Sequence, residues 1–260
     1  MSEYTMAKAD GRDDIQSINR MFRIVETLVE MDGARVCDLA DELGMAQSTA
    51  HRYLTTLYRN ECVVREDGEY HVGLRFLDIG GYARTRKDVY ATVQPKIISL
   101  AEETQERAQF FVEEHGKIIY VHRVTGANGV DADSRLGRRL PITATAAGKV
   151  ILAHLPDDRV AEILDDHGFP DLTENTITDR EAFLEHLETV RERGYGLNDE
   201  EYIKGLRVVS VPVMDPGGDV VGAISVSGPT YRLDDGRFTE TLPKKIKATA
   251  NEIELELAYP

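Results

Sequence analysis

Leu43-Gly44-Met45-Ala46-Gln47-Ser48-Thr49-Ala50-His51-Arg52-Tyr53-Leu54-Thr55-Thr56-Leu57-Tyr58-Arg59-Asn60 carries no carboxylate, although Asp and Glu supply 46 of the 260 residues. Ala50, Tyr53, Leu54 and Leu57 fall at helical core spacing, which predicts a helix over residues 46–59. Its first two turns group Gln47, Ser48, Thr49, His51 and Arg52 on the polar side. Those side chains suit a DNA groove. Gln pairs with adenine, Arg with guanine or phosphate, and Ser or Thr with phosphate or a base edge. A solvated helix face is the plain alternative, and the missing acids weigh against it.

Upstream, residues 36–43 predict a short helix with Val36, Leu39, Ala40 and Leu43 inward. Gly44 closes it, because glycine takes a positive φ without steric cost. Before that, Ile18, Met21, Phe22, Val25, Leu28 and Val29 recur at three- and four-residue steps and predict a longer helix with all six on its apolar face. Asp32-Gly33 ends it. Downstream, strand-like runs at 62–65 and 69–72 flank Glu66-Asp67-Gly68, and Asp-Gly in that setting signals a hairpin. Three helices, a glycine turn before the third and a hairpin predict a winged helix-turn-helix over residues 14–75. Arg65 on the hairpin is placed to touch phosphate.

The remainder, residues 76–260, reads as a linker and an α+β domain. Residues 73–107 are mostly helical, with breaks expected at Gly80-Gly81 and Pro95, and Leu74, Leu77 and Ile79 expected to pack on the wing. Residues 82–88 read as an interdomain connector that either pairs subunits or merely links. Beyond it come a hairpin around His115-Gly116, a short strand at 140–143, and helices at 146–155, 157–166 and 179–193. Asp157 and Asp179 are expected N-caps, with Gly168 and Gly194 as stops. Strands at 207–214 and 220–227 and a C-terminal helix complete the pattern. In the 220–227 strand, Val220, Gly222, Ile224 and Val226 face one way, and Ala223, Ser225 and Ser227 the other. The second face is small and polar-tipped. With the small helix opening Thr143-Ala144-Thr145-Ala146-Ala147-Gly148-Lys149, it points to a pocket for an anion-bearing metabolite. Close helix–sheet packing explains the same small residues equally well.

Acids exceed bases 46 to 31, a net charge of −15, and lysines number only 9 against 22 arginines. Such a balance fits a salt-rich cytoplasm, in which carboxylates keep the surface hydrated, or an ordinary acidic protein. Cys37 and Cys62 are too few for a disulfide framework or a four-thiolate zinc site and fit a reducing, cytoplasmic setting. The polar residues 1–14 read as a disordered tail rather than a secretory signal. No apolar run is long enough to cross a membrane. No catalytic motif is found: there is no Gly-x-Ser-x-Gly, no His-Glu-x-x-His and no phosphate loop. The expectation is therefore no catalytic residue, no metal and no cofactor. His115 and His122 flank a hairpin without metal-ligand spacing.

Residues Val36-Cys37-Asp38-Leu39-Ala40 through Gly44, Ser48-Thr49-Ala50-His51-Arg52-Tyr53-Leu54, and Tyr70-His71-Val72-Gly73 resemble the DNA-binding domain of IclR-type transcriptional regulators. Arg139-Leu140-Pro141, the 143–149 segment, Arg191-Glu192-Arg193-Gly194-Tyr195-Gly196, Asp199-Glu200-Glu201 with Gly205, and Ser225-Val226-Ser227-Gly228-Pro229 resemble that family's effector domain. The resemblance implies a winged-helix domain, a helical linker and a GAF-like antiparallel sheet flanked by helices. It also implies double-stranded operator DNA and a small-molecule effector as partners, and a homodimer or homotetramer. Carried over by motif position, effector contacts fall on Leu140, Ala146, Ala147, Asn198, Leu206, Val208, Ser225 and Ser227. Asn198 stands where relatives often carry an acid, and Val208 where some carry Cys, so effector identity does not transfer. Ala46 replaces a usual Ser or Pro cap, worth about 1 kcal/mol. Gln47 replaces a common basic residue. Two rival functions stay open: an enzyme addressed to DNA by its N-terminal domain, and an architectural DNA-binding protein without an effector.

Overall fold

The computed structural model describes residues 14–129 and 135–259. The tail expected over residues 1–14 lies outside them, Asp14 excepted. The chain forms two compact units that divide between Arg84 and Thr85.

The first unit contains α1 (Gln16–Glu30), α2 (Val36–Glu42), α3 (Gln47–Arg59), a hairpin of β1 (Val63–Glu66) and β2 (Glu69–Val72), and α4 (Arg75–Thr85). Gly44 takes φ +60° between α2 and α3, as the tight turn requires. The β1–β2 register pairs Glu66 with Glu69, leaving Asp67 and Gly68, both at positive φ, as a two-residue turn. Ile24, Leu28, Leu39, Leu54 and Val63 form the core. The sequence pattern misassigned part of α1. Ile24 is buried, whereas Ile18, Phe22 and Val29, expected inward, are exposed. The helix carries apolar residues on two faces, and packing against α2 and the wing buries only one. Leu74, Leu77 and Ile79 do not pack on the wing either; they are 81%, 70% and 55% exposed. Gly80-Gly81 lies within α4, and Pro95 within α5 (Asp88–Thr104), so the helical break falls at Arg86-Lys87 instead.

The second unit is a six-stranded antiparallel sheet in the order β5-β4-β3-β8-β7-β6. Its strands are β3 (Arg107–Glu114), β4 (Lys117–Thr125), β5 (Arg139–Pro141), β6 (Gly196–Asp199), β7 (Leu206–Met214) and β8 (Val220–Pro229). The helices are α5, α6 (Ala146–Leu152), α7 (Asp157–His167), α8 (Arg180–Arg193) and α9 (Leu242–Ala258). One sheet face packs on α5 and α9 through Phe110, Val209, Ile224 and Val226. The other packs on α6, α7 and α8 through Phe111, Ile118 and Ala223. Asp179 caps α8 by accepting from the Ala182 amide at 2.9 Å. Asp157 is no cap; Pro156 precedes α7 and Asp157 is its first residue.

Two strand details depart from the sequence reading. A bulge near the start of β8 skips Val221, because Met214 pairs with Val220 and Val213 with Gly222. Val220 therefore joins the face of Ala223 rather than that of Ile224. Strand β6 was not foreseen. Gly, Leu, Asn and Asp have little strand preference, and only pairing with β7 makes them one. Among the described residues, no helix is long and apolar enough to cross a membrane.

Candidate functional site

Two sites emerge, one in each unit. On α3, the buried residues are Ala50, Leu54 and Leu57. Gln47, Ser48, His51 and Arg52 are exposed, and Thr49 is half-buried. The polar face is thus presented to solvent, as a groove-reading helix needs. No side chain caps α3, since Ala46 at the cap position has no oxygen to offer. Arg65 is exposed on the wing, its guanidinium 5.6 Å from the Tyr70 ring centre. That cation–π contact orients the side chain on the wing.

The second site is a cavity between the α6–α8 side of the sheet and the strap that joins β6 to β7. Cross-strand register builds its floor. Arg107 of β3 lies opposite Ser227 of β8, Ser227 opposite Val208 of β7, and Val208 opposite Asn198 of β6. This row runs about 14 Å across four strands at about 4.8 Å per step. The neighbouring row sets Gln109 beside Ser225. Leu140 of β5, Ala146 and Ala147 at the start of α6, and Leu206 close further sides. All eight residues expected from the effector-domain resemblance therefore border one cavity. The cavity space is about 80 Å³, where one water needs about 10–15 Å³.

Sequence reading missed the residues that give this cavity its polarity. Arg107 is 5% exposed, and its Nε donates to Ser227 Oγ at 3.2 Å. Burial pulls its guanidinium below the usual arginine range. With its amide oxygen turned to Arg107, Gln109 accepts from Arg107 Nε at 2.7 Å and from Ser227 Oγ at 2.8 Å, and donates to Ser225 O at 3.2 Å. Ser225 Oγ donates to Ser210 Oγ at 2.9 Å. Tyr120 also lines the space, and burial raises its phenol, which stays protonated. Arg138 completes a lining that holds two arginines and, among the described residues, no carboxylate. The alternation in β3 was available as a signal, since Arg107, Gln109 and Phe111 share a face. Knowing that this face meets Ser225 and Ser227 required the strand order.

The start of α6 is fixed in place. Thr145 Oγ1 accepts from the Gly148 amide at 3.1 Å and donates to Pro141 O at 3.2 Å. Gly148 is obligatory: a Cβ there would come within 1.8 Å of Ile142 O. Close packing and a pocket are both served by the small residues, which the sequence had left as alternatives. Asn198 Nδ2 donates to Ala144 O at 2.7 Å, and Asn198 Oδ1 accepts from the Glu201 amide at 3.2 Å. Cys37 and Cys62 are free and half-buried, far from this chemistry in sequence. Among the described residues, no cluster of His, Cys, Asp and Glu has metal-site geometry.

Residues 17–67 match the IclR helix-turn-helix domain, and residues 82–255 match the bacterial transcriptional regulator IclR C-terminal domain. The chain belongs to the IclR family. It is similar to the HTH-type transcriptional regulator KdgR of Escherichia coli K12, at 32% identity over 98% of each chain. It is similar also to the probable HTH-type transcriptional regulator ArcR of Halobacterium salinarum, at 33% identity over 94% of each chain. Among solved structures, the Thermotoga maritima IclR superimposes with a TM-score of 0.79 at 27% identity, covering 95% of this chain and 100% of that one. This IclR-family chain is a DNA-binding transcription regulator, and its matched helix-turn-helix region carries α2, the Gly44 turn and α3.

Proposed function

We propose that this regulator reads operator DNA with Gln47, Ser48, Thr49, His51 and Arg52 on α3 and Arg65 on the wing. We further propose that it responds to a small organic anion in the β-sheet cavity. The observation that carries the effector reading is the lining itself: two arginines, a Gln, an Asn and two serines around one cavity, with no carboxylate among the described residues. A cavity of about 80 Å³ has room for a small organic acid. Leu140, Ala146, Ala147, Leu206 and Val208 supply its apolar walls. Occupancy of the cavity and of DNA are linked, so each changes the affinity for the other by the same factor.

A second copy of the chain is the proposed partner. Ile18, Phe22, Leu74, Leu77 and Tyr82 are exposed on α1 and around α4, more apolar surface than a solitary helix-turn-helix needs. A homodimer supplies two recognition helices for two half-sites, and a homotetramer is a pair of such dimers. A cytoplasmic, salt-rich setting is supported by the charge of −15 and by likeness to a Halobacterium salinarum regulator.

Gel-shift titration with operator fragments from its own upstream region, combined with a thermal-shift screen of small carboxylates, tests the reading. Arg52→Ala is expected to lose operator binding and keep any carboxylate shift. Ser225→Ala with Ser227→Ala is expected to lose the shift and keep DNA binding. Unchanged operator affinity in the first variant removes Arg52 from the interface. An unchanged dose–response in the second removes the serines from the effector site.

A further inference from the structure

The strap of residues 200–205 contributes Tyr202 and Ile203 to one side of the cavity, and the start of α6 contributes Ala146 and Ala147 to another. A buried ion pair joins these two walls. Lys149, one turn into α6, is fully buried, and its Nζ donates to Glu201 Oε1 at 2.5 Å. Glu201 is 8% exposed, and its second oxygen, Oε2, is buried with no hydrogen-bond partner. Neither side chain lines the cavity; both stand directly behind residues that do.

Such a pair is a poor device for stability alone. Taking two charges out of water opposes their attraction, and apolar residues of equal size pack at no such penalty. What the pair supplies is geometry, since the carboxylate has one place to be and the helix is held by Thr145 and Gly148. The rest of the strap's ties lie elsewhere. Thr173 Oγ1 donates to Glu200 O at 2.8 Å, and Thr176 Oγ1 to Glu201 O at 2.6 Å, which fixes the strap to the 173–176 loop rather than to α6. Among the described residues, the hydrogen bond that joins the strap to α6 is that of Glu201 with Lys149, beside apolar packing of Tyr202.

We propose that Lys149 and Glu201 are the positioning pair of the cavity: they hold the strap against α6 and so set the width of the ligand space. The meaning of that width rests on the effector reading above, but the pair's action does not. Tyr202 and Ile203 follow Glu201 in sequence, so a shift of the carboxylate carries both across the cavity wall. Arg193 and His186 lie close enough to act electrostatically on this pair. Removing Glu201 alone therefore leaves cations facing one another behind the wall.

Hydrogen–deuterium exchange on the full chain without added ligand reads the strap directly. The amides of Glu201, Gly205 and Leu206 are bonded to Asn198 Oδ1, Glu200 Oε2 and Ile203 O. In the wild type they are expected to exchange at least about tenfold more slowly than unstructured peptide. In the double variant Lys149→Met with Glu201→Leu, which leaves no lone buried charge, they are expected to speed up about tenfold. Amides of β3 and α9 should keep their wild-type rates. A merely structural pair would loosen these segments together. Strap amides as protected in the variant as in the wild type, with β3 and α9 intact, would overturn the proposal, as would an unprotected strap in the wild type. If the double variant loses protection everywhere, Glu201→Gln, which keeps size and removes the charge, decides by the same comparison. A chain that shifted with no carboxylate would end the effector reading and leave these rates as they are.

Discussion

Lowering the pH from about 7.5 to 5 protonates His186 in the unfolded chain but not in the folded one. His186 lies on α8 with Nε2 buried and without a hydrogen-bond partner. Burial, then the Lys149 ammonium and the Arg193 guanidinium, draw its imidazole from 6.5 down to about 4. The unfolded chain takes up this proton near 6.5, whereas the folded chain refuses it until about 4. Stability from this group is therefore full above about 6.5, falls as the pH drops, and levels off below about 4. A displacement of about 2.5 pH units corresponds to about 3.4 kcal/mol at about 1.36 kcal/mol per unit. The ring is only half-buried, and solvent screening brings the effect to about 1–2 kcal/mol. Rather more than half of that develops by about pH 5. Urea denaturation of the wild type and of His186→Gln at several pH values measures it. The variant should lose about 1 kcal/mol less than the wild type between about pH 7.5 and 5. Parallel curves for the two proteins would show that His186 ionises normally and would refute the electrostatic account of this cluster.

Glu106 is 1% exposed, accepts from Arg232 Nε at 3.0 Å and Nη2 at 2.9 Å, and accepts from Arg237 Nη1 at 3.2 Å. Glu106→Gln leaves these guanidinium groups without their counter-charge and is expected to lower stability by about 3 kcal/mol, read from the denaturation midpoint. Ala46→Ser supplies the missing cap oxygen to α3 and is expected to raise the stability of the first unit by about 0.5–1 kcal/mol in thermal unfolding; no gain would mean that the α3 amides are already satisfied.

The helix-turn-helix was legible because its determinants are local. Gly44, the Asp67-Gly68 turn and the spacing of Ala50, Leu54 and Leu57 act within a few residues of themselves, and each did what its chemistry demands. The cavity residues were legible in a different way. Ser225 and Ser227 came from alternation along one strand, whereas Asn198 and Val208 came from family resemblance, since β6 carries almost no strand signal of its own. Arg107, Gln109 and Tyr120 were missed although they give the cavity its character. Their strands, β3 in part and β4 nearly whole, were foreseen, but not the partners they would face.

Sequence by itself determined α1, α2, α3 and the β1–β2 hairpin, and which polar side chains α3 turns outward. Those outcomes depend on backbone dihedrals and on periodicity, which neighbouring residues fix. Tertiary structure alone decided which stripe of α1 is buried, which residues share the row Arg107–Ser227–Val208–Asn198, and that Lys149 meets Glu201 52 residues away. The physical reason is that burial and pairing are properties of two surfaces. A strand specifies its own two faces, but the order β5-β4-β3-β8-β7-β6 specifies what each face will touch.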